Sequence, residues 1–173
     1  MLIDEFLPDF DFVEKHDISI HAHATDVVQA AADVDFGQSW LIWALFWIRG
    51  LPVEKITLER MGESRFAKLA ETPGRELLLG IVGKFWQPSG ELKKTDADSF
   101  RQFSEAGFAK AAWNFSTEET GDETILTTET RVKCLDDESR SSFGWYWMLI
   151  RPFSGLIRME MLRLIKQKAE AGA

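Results

Sequence analysis

Two stretches of this chain alternate in polarity and face each other across a polar tract. Phe108 to Thr117 and Thr124 to Leu135 flank Glu118-Glu-Thr-Gly-Asp-Glu123, and a period of two on both sides of a glycine-containing tract predicts a long antiparallel hairpin. On the first strand Ala109, Ala111, Trp113 and Phe115 share a face; on the second Leu126, Thr128, Thr130, Val132 and Cys134 do. A sheet with one apolar face has to cover it. The chain then continues into its longest helical pattern, which runs toward Ala169 behind candidate caps at Asp136, Asp137 and Ser139. Its apolar stripe is Phe143, Trp147, Ile150, Ile157, Met161, Leu164 and Ile165. Phe143, Trp147 and Ile150 are expected against Trp113, Phe115 and Thr128. Pro152 lacks a backbone donor and predicts a kink or break between Leu149 and Phe153.

The remaining elements fit an α+β order. Phe12 to Ala22 reads as a first strand with Phe12, His16, Ile18, Ile20 and Ala22 on one face, and Lys15, Asp17, Ser19 and His21 on the other. Thr25 or Asp26 can cap a short helix from Val27, and a second helix carries Phe36, Trp40, Trp43 and Trp47 on one stripe. Residues Val53 to Ser64 read as a short helix or covering loop. Arg65 to Ala70 and Arg75 to Trp86 then pair through the turn Glu71-Thr-Pro-Gly74. Glu91 to Gly107 is polar, a loop or short strand anchored by Phe100 and Phe103.

At 173 residues and 45% hydrophobic, the chain can build one core, so residues 1–173 are expected to form a single domain. A formal charge of −8 argues against nucleic acid as a partner. The apolar run Trp40 to Ile48 is nine residues long, against roughly 20 for a membrane-spanning helix, so no integral membrane segment is expected. The lone Cys134 and an N-terminus without signal-peptide character point to the cytoplasm. No cofactor is called for.

Three stretches carry a family resemblance: Ile18-Ser-Ile-His-Ala-His-Ala-Thr-Asp-Val-Val, Thr128-Glu-Thr-Arg-Val, and Tyr146-Trp-Met-Leu-Ile-Arg-Pro-Phe-Ser-Gly-Leu-Ile-Arg158. They resemble the START-like or SRPBCC superfamily, which includes the birch-pollen allergens and the aromatic polyketide cyclases, and the last stretch is similar to tails of bacterial members. His23 stands where that family commonly has proline before its first helix. The resemblance implies a helix-grip fold: a curved antiparallel sheet of about six or seven strands around a long C-terminal helix, with two short helices after the first strand. It also implies a small hydrophobic partner, lipid-like or aromatic, between sheet and helix.

His16 shares a strand face with Ile18 and Ile20, where it could act as an acid or base. His21 and His23 are spaced for two zinc ligands, but a catalytic zinc site usually takes three. Glu129 and Arg131 read as outward strand charges in solvent. Arg151 and Arg158 are neighbours on one face of the last helix, and Arg151, beside the expected kink, is the candidate anchor for a ligand carboxylate. Trp40, Trp43, Trp113 and Trp147 should face the interior and either wall or fill a pocket. Phe115 and Ile150 would join that wall, with Thr128 and Thr130 as polar tips. A binding module is the leading expectation, a cyclase- or dehydratase-like enzyme using His16 is the alternative, and an interaction domain with a filled core is a third. A homodimer or membrane contact through an exposed tryptophan stripe is also open. The discriminator between binder and enzyme is whether a titratable interior residue lies within hydrogen-bond reach of another polar group.

Overall fold

A computed structural model describes residues 1–48, 57 and 66–172, with the side chains of 45–48 outside the described set. The element expected at 53–64 and the side chain of Trp47 therefore lie outside the described residues. In chain order the elements are α1 (Leu2–Phe6), β1 (Phe12–Ile20), α2 (Ala24–Asp33), a 3-10 turn (Phe36–Gln38), α3 (Trp40–Ile48), β2 (Ala67–Thr72), β3 (Glu76–Gly83), α4 (Ala97–Gln102), β4 (Ala109–Thr120), β5 (Glu123–Cys134) and α5 (Asp137–Gly172).

The long hairpin forms as its alternation requires. β4 and β5 pair from Ala109 with Cys134 to Thr120 with Glu123, and Gly121 turns the chain at φ +65, a left-handed angle that favours glycine. The curved sheet has the order β1-β5-β4-β3-β2 with every neighbour antiparallel. It holds five strands among the described residues, where six or seven are expected. Between Glu91 and Gly107 the only strand-like pairing among those residues is a single bridge from Lys93 to Val82, and the segment otherwise folds into α4 with Phe100 buried.

The inner face of the sheet carries Leu79, Trp113, Phe115 and Leu126, and it is covered by α2 and by Ile157, Met161 and Ile165 of α5. The outer face is covered as well. Ile3 and Phe6 of α1 and Phe100 of α4 pack on Leu78, Val82 and Ala112. That cover corrects the expectation for Glu129 and Arg131, which are buried and not in solvent. Arg131 donates to Glu129 Oε1 at 2.6 Å, to Asp4 Oδ1 at 2.7 Å and to the Leu7 carbonyl at 3.2 Å, fastening the N-terminal segment to the sheet. The guanidinium holds the Asp4 carboxyl below its usual value.

α5 is one uninterrupted helix of 36 residues with Pro152 inside it, so no break occurs near Phe153. Pro152 and Met148, the residue whose carbonyl loses its helical donor to the proline, both lie on the exposed side of the helix. The contact register along α5 also differs from expectation. Phe143 and Trp147 pack on Phe12, and Phe143 also meets Phe85 and Trp86. Trp113 is instead met by Arg158, about three turns further along the helix.

Candidate functional site

Strand parity sends Glu14 and His16 to the inner face alongside Phe12, Ile18 and Ile20. Register sets their neighbours. Glu14 lies opposite Thr130, which lies opposite Trp113; His16 lies opposite Thr128, which lies opposite Phe115. Two adjacent rows of the inner face thus run from a titratable residue through a threonine to an aromatic ring. From above, α5 approaches at Gly155, where a Cβ would stand 2.9 Å from Glu14 Oε1 and 3.5 Å from His16 Nε2. A Cβ at this position would make the Glu14 carboxylate shift. One turn on, Arg158 enters the same space.

His16 Nε2 lies 2.9 Å from Glu14 Oε1. A proton on His16 Nε2 is within reach of that carboxylate oxygen. Arg158 Nε stands 4.0 Å from Glu14 Oε2, an ion pair too long to be a hydrogen bond. Its guanidinium also lies 4.9 Å from the centre of the Trp113 ring, within cation–π range. Burial pushes the Arg158 guanidinium down to about 10, against the pull of Glu14 in the other direction, so it is charged at neutral pH. Trp113 Nε1 donates to Thr128 Oγ1 at 2.7 Å, and that hydroxyl donates to the Asn114 carbonyl at 3.0 Å.

The cluster is unsaturated. Among the described residues, Glu14 Oε2, Thr130 Oγ1, Arg158 Nε and Arg158 Nη1 are buried without a hydrogen-bond partner. Each such atom costs about 1–3 kcal/mol, and all four belong to the rows beneath Arg158. The other buried arginine makes the contrast. Arg131 has three partners within hydrogen-bond distance and a Phe10 ring at 4.7 Å. Arg131 is built to hold structure together, while Arg158 is built with donors to spare.

A groove of about 510 Å³ lies between α2 and β2, β3 and β4, with Ala31, Leu77, Leu79, Phe115 and Leu126 in its lining. Phe115 is 5.0 Å, ring centre to ring centre, from Trp113, so the groove and the polar cluster meet at that pair of rings. Another depression of about 440 Å³, lined by Lys15, Glu76, Ser116 and Thr127, is polar and has none of the cluster residues in its lining.

Of the residues singled out from sequence, His16, Trp113, Phe115, Thr128 and Thr130 come together on the inner face. Trp147 packs at the far end with Phe12 and Phe143, and Ile150 is half-buried on the same helix. Trp40 and Trp43 do not face the interior. α3 turns Ile42 inward and the preceding turn buries Phe36, leaving Trp40 79% exposed and Trp43 outward. Arg151 is exposed on α5, and Arg158 holds the interior position instead. His21 pairs with Glu123 at 3.1 Å, and His23 occupies the N-cap of α2. Among the described residues, no three histidine, cysteine or carboxylate side chains gather as metal ligands.

No protein-family model matches the chain, and no curated protein sequence matches it. Among solved structures it is similar to TTHA0849 from Thermus thermophilus, at 9% identity over 94% of this chain and 99% of that one, with a TM-score of 0.41. It is also similar to StfQ, the di-domain aromatase/cyclase of the steffimycin biosynthetic pathway, at 10% identity with a TM-score of 0.43. That likeness covers 99% of this chain but 56% of StfQ, so the chain spans about half of that protein. The Zhui aromatase/cyclase from Streptomyces sp. R1128 is similar at 12% identity over 92% of this chain and 93% of that one, with a TM-score of 0.31. The helix-grip description rests on the strand order and the terminal helix of this chain, not on these distant likenesses.

Proposed function

We propose that the space between the inner sheet face and α5 binds a small, mainly apolar ligand, aromatic or lipid-like, through one polar end. The observation that carries this reading is the set of buried atoms without partners, Arg158 Nε and Nη1, Glu14 Oε2 and Thr130 Oγ1, beside the ring of Trp113. A carbonyl or carboxylate oxygen would accept from Arg158, a hydroxyl would donate to Glu14, and a flat ring would lie against Trp113 and Phe115. The groove that ends at Phe115 supports an approach from the α2 side.

The rival, acid–base chemistry of the cyclase or dehydratase kind, gains support from the 2.9 Å contact between His16 and Glu14. A histidine oriented by a carboxylate can take a proton next to a ligand carbonyl while Arg158 stabilises the charge that develops on the oxygen.

The test is native mass spectrometry of protein purified from its source cells, then denaturing extraction of any bound molecule. Wild type should carry a small apolar molecule with an oxygen function, and Arg158→Gln should lose it. Protein that is empty, and whose melting temperature no aromatic or fatty acid raises, would sink the binding reading. Once the ligand is known, His16→Gln separates the two readings. It should leave retention intact and abolish deuterium exchange next to the carbonyl if the histidine moves protons.

A further inference from the structure

α5 is apolar outward as well as inward. Trp145, Leu149, Pro152, Leu156 and Met159 follow one another at intervals of four, three, four and three residues, and all of them are exposed. Trp145 is 73% and Leu149 71% accessible. Met148 and Phe153 flank this seam and are exposed too. A mean spacing of about 3.5 residues sets them in one stripe along the helix, the pattern of a seam that packs against another helix. Ser39 Oγ donates to Glu160 Oε1 at 2.8 Å, so the exposed Trp40 at the start of α3 extends the patch beside the end of the seam.

Taking roughly 150–250 Å² for each large side chain, the exposed portions of these residues amount to about 800 Å² per chain. The largest patch on a typical monomer is about 300–600 Å², and a stable interface buries about 800 Å² from each partner. The occupant follows from symmetry and charge. The seam is centred on Pro152, so a second α5 laid antiparallel across it sets Trp145 against Met159, Met148 against Leu156 and Pro152 against Pro152. The same arrangement brings the acidic start of the helix, Asp137 and Glu138, over Arg163 and Lys166 of the other copy, which within their own chain pair with Glu160 at 2.7 Å and Glu170 at 3.1 Å.

We infer that this face of α5 is a homodimer interface, formed by two copies of the chain packing their terminal helices antiparallel about Pro152. The contact is isologous and closes on itself. It lies on the side of α5 turned away from Arg158 and from the buried Ile157, Met161 and Ile165, so it leaves Arg158 in the interior.

Sedimentation velocity across about 1–100 μM protein, at or above the roughly micromolar-to-picomolar dissociation constants of standard-size interfaces, tests the state directly, with Leu149→Glu/Leu156→Glu as the disrupting variant. Both positions are exposed, so the variant should keep the wild-type circular dichroism spectrum. A dimer in wild type and a monomer in the variant are expected. The arrangement is tested by Pro152→Cys, which should form an intermolecular disulfide on mild oxidation, while Arg140→Cys, far from the axis, should not. A wild type that stays monomeric, a dimer that survives the double substitution, or a Pro152→Cys protein that does not cross-link would each overturn the inference. A monomer that floats with zwitterionic vesicles would overturn it in favour of a membrane.

Discussion

Replacing Arg158 and Glu14 together should cost this protein little stability, whereas replacing either Arg158 or Arg131 alone with methionine should cost it much. Arg158 attracts Glu14 across 4.0 Å, which at an effective dielectric of about 20 is about 4 kcal/mol. Against that stand two buried N–H groups without acceptors, at about 1–3 kcal/mol each, and the desolvation of the charge itself. The opposing terms nearly cancel for the pair as a whole, but Arg158→Met alone leaves the Glu14 carboxylate buried without its countercharge, which should cost about 3–5 kcal/mol. The double variant Glu14→Gln/Arg158→Met keeps an acceptor for His16 and removes both charges. It should be as stable as wild type or more so, by up to about 4 kcal/mol, as buried ion pairs replaced together often are. Arg131 makes three good hydrogen bonds and leaves Glu129 buried and unpaired when removed, which should cost about 3–5 kcal/mol. For a chain of this size that is a fall of about 10 °C in Tm. Urea unfolding followed by circular dichroism measures all three variants. A double variant no more stable than Arg158→Met alone, or less stable than wild type by more than about 2 kcal/mol, would show that the interior charges are structural and contradict this prediction.

Two further predictions test the local geometry. Gly155→Ala adds a methyl within 2.9 Å of Glu14 Oε1, an overpacking cost of about 1–3 kcal/mol that the helix gain of about 0.5–1 kcal/mol partly offsets. It should lower Tm by a few degrees and shift the ring nitrogen resonances of His16; unchanged resonances would mean that the helix does not press on the pair. Cys134 is buried, and desolvation, helped by Asp11 and Asp136, pushes its thiol up from 9.0 to about 12. Its thiolate at about pH 8 should then be about a thousandfold scarcer in the folded than in the unfolded chain. Iodoacetamide should therefore label native protein at least about a hundredfold more slowly than protein in urea. Because the folded chain keeps a proton that the unfolded chain releases, stability should fall as pH rises from 9.0 toward about 12. Cys134→Ala should flatten that slope.

The hairpin and the terminal helix were legible because each has a strong period, of two and of about 3.6, over ten or more residues. The inner face of β1 was half legible. The parity that puts His16 beside Ile18 puts Glu14 there too, but a glutamate in a strand reads as a solvent-facing charge unless a partner is known. Arg158 was visible only as a neighbour of Arg151. Which of them points inward cannot be read from a helix whose outward residues, Met148, Leu149, Phe153, Leu156 and Met159, are as apolar as its inward ones. The same all-round apolarity in α3 hid the outward direction of Trp40 and Trp43. The cover over Arg131 comes from α1, five residues without a side-chain cap, which carries too little periodicity to announce itself.

The central claim is that Glu14, His16, Arg158 and Trp113 together form the polar end of a ligand site inside the grip of sheet and helix. A crystal structure with the copurified or best screened ligand tests it most directly. A ligand oxygen should lie within hydrogen-bond distance of the Arg158 guanidinium, with the apolar body against Trp113 and Phe115. A ligand confined to the outer polar depression by Lys15 and Glu76, or one that leaves Arg158 without a new partner, would contradict it.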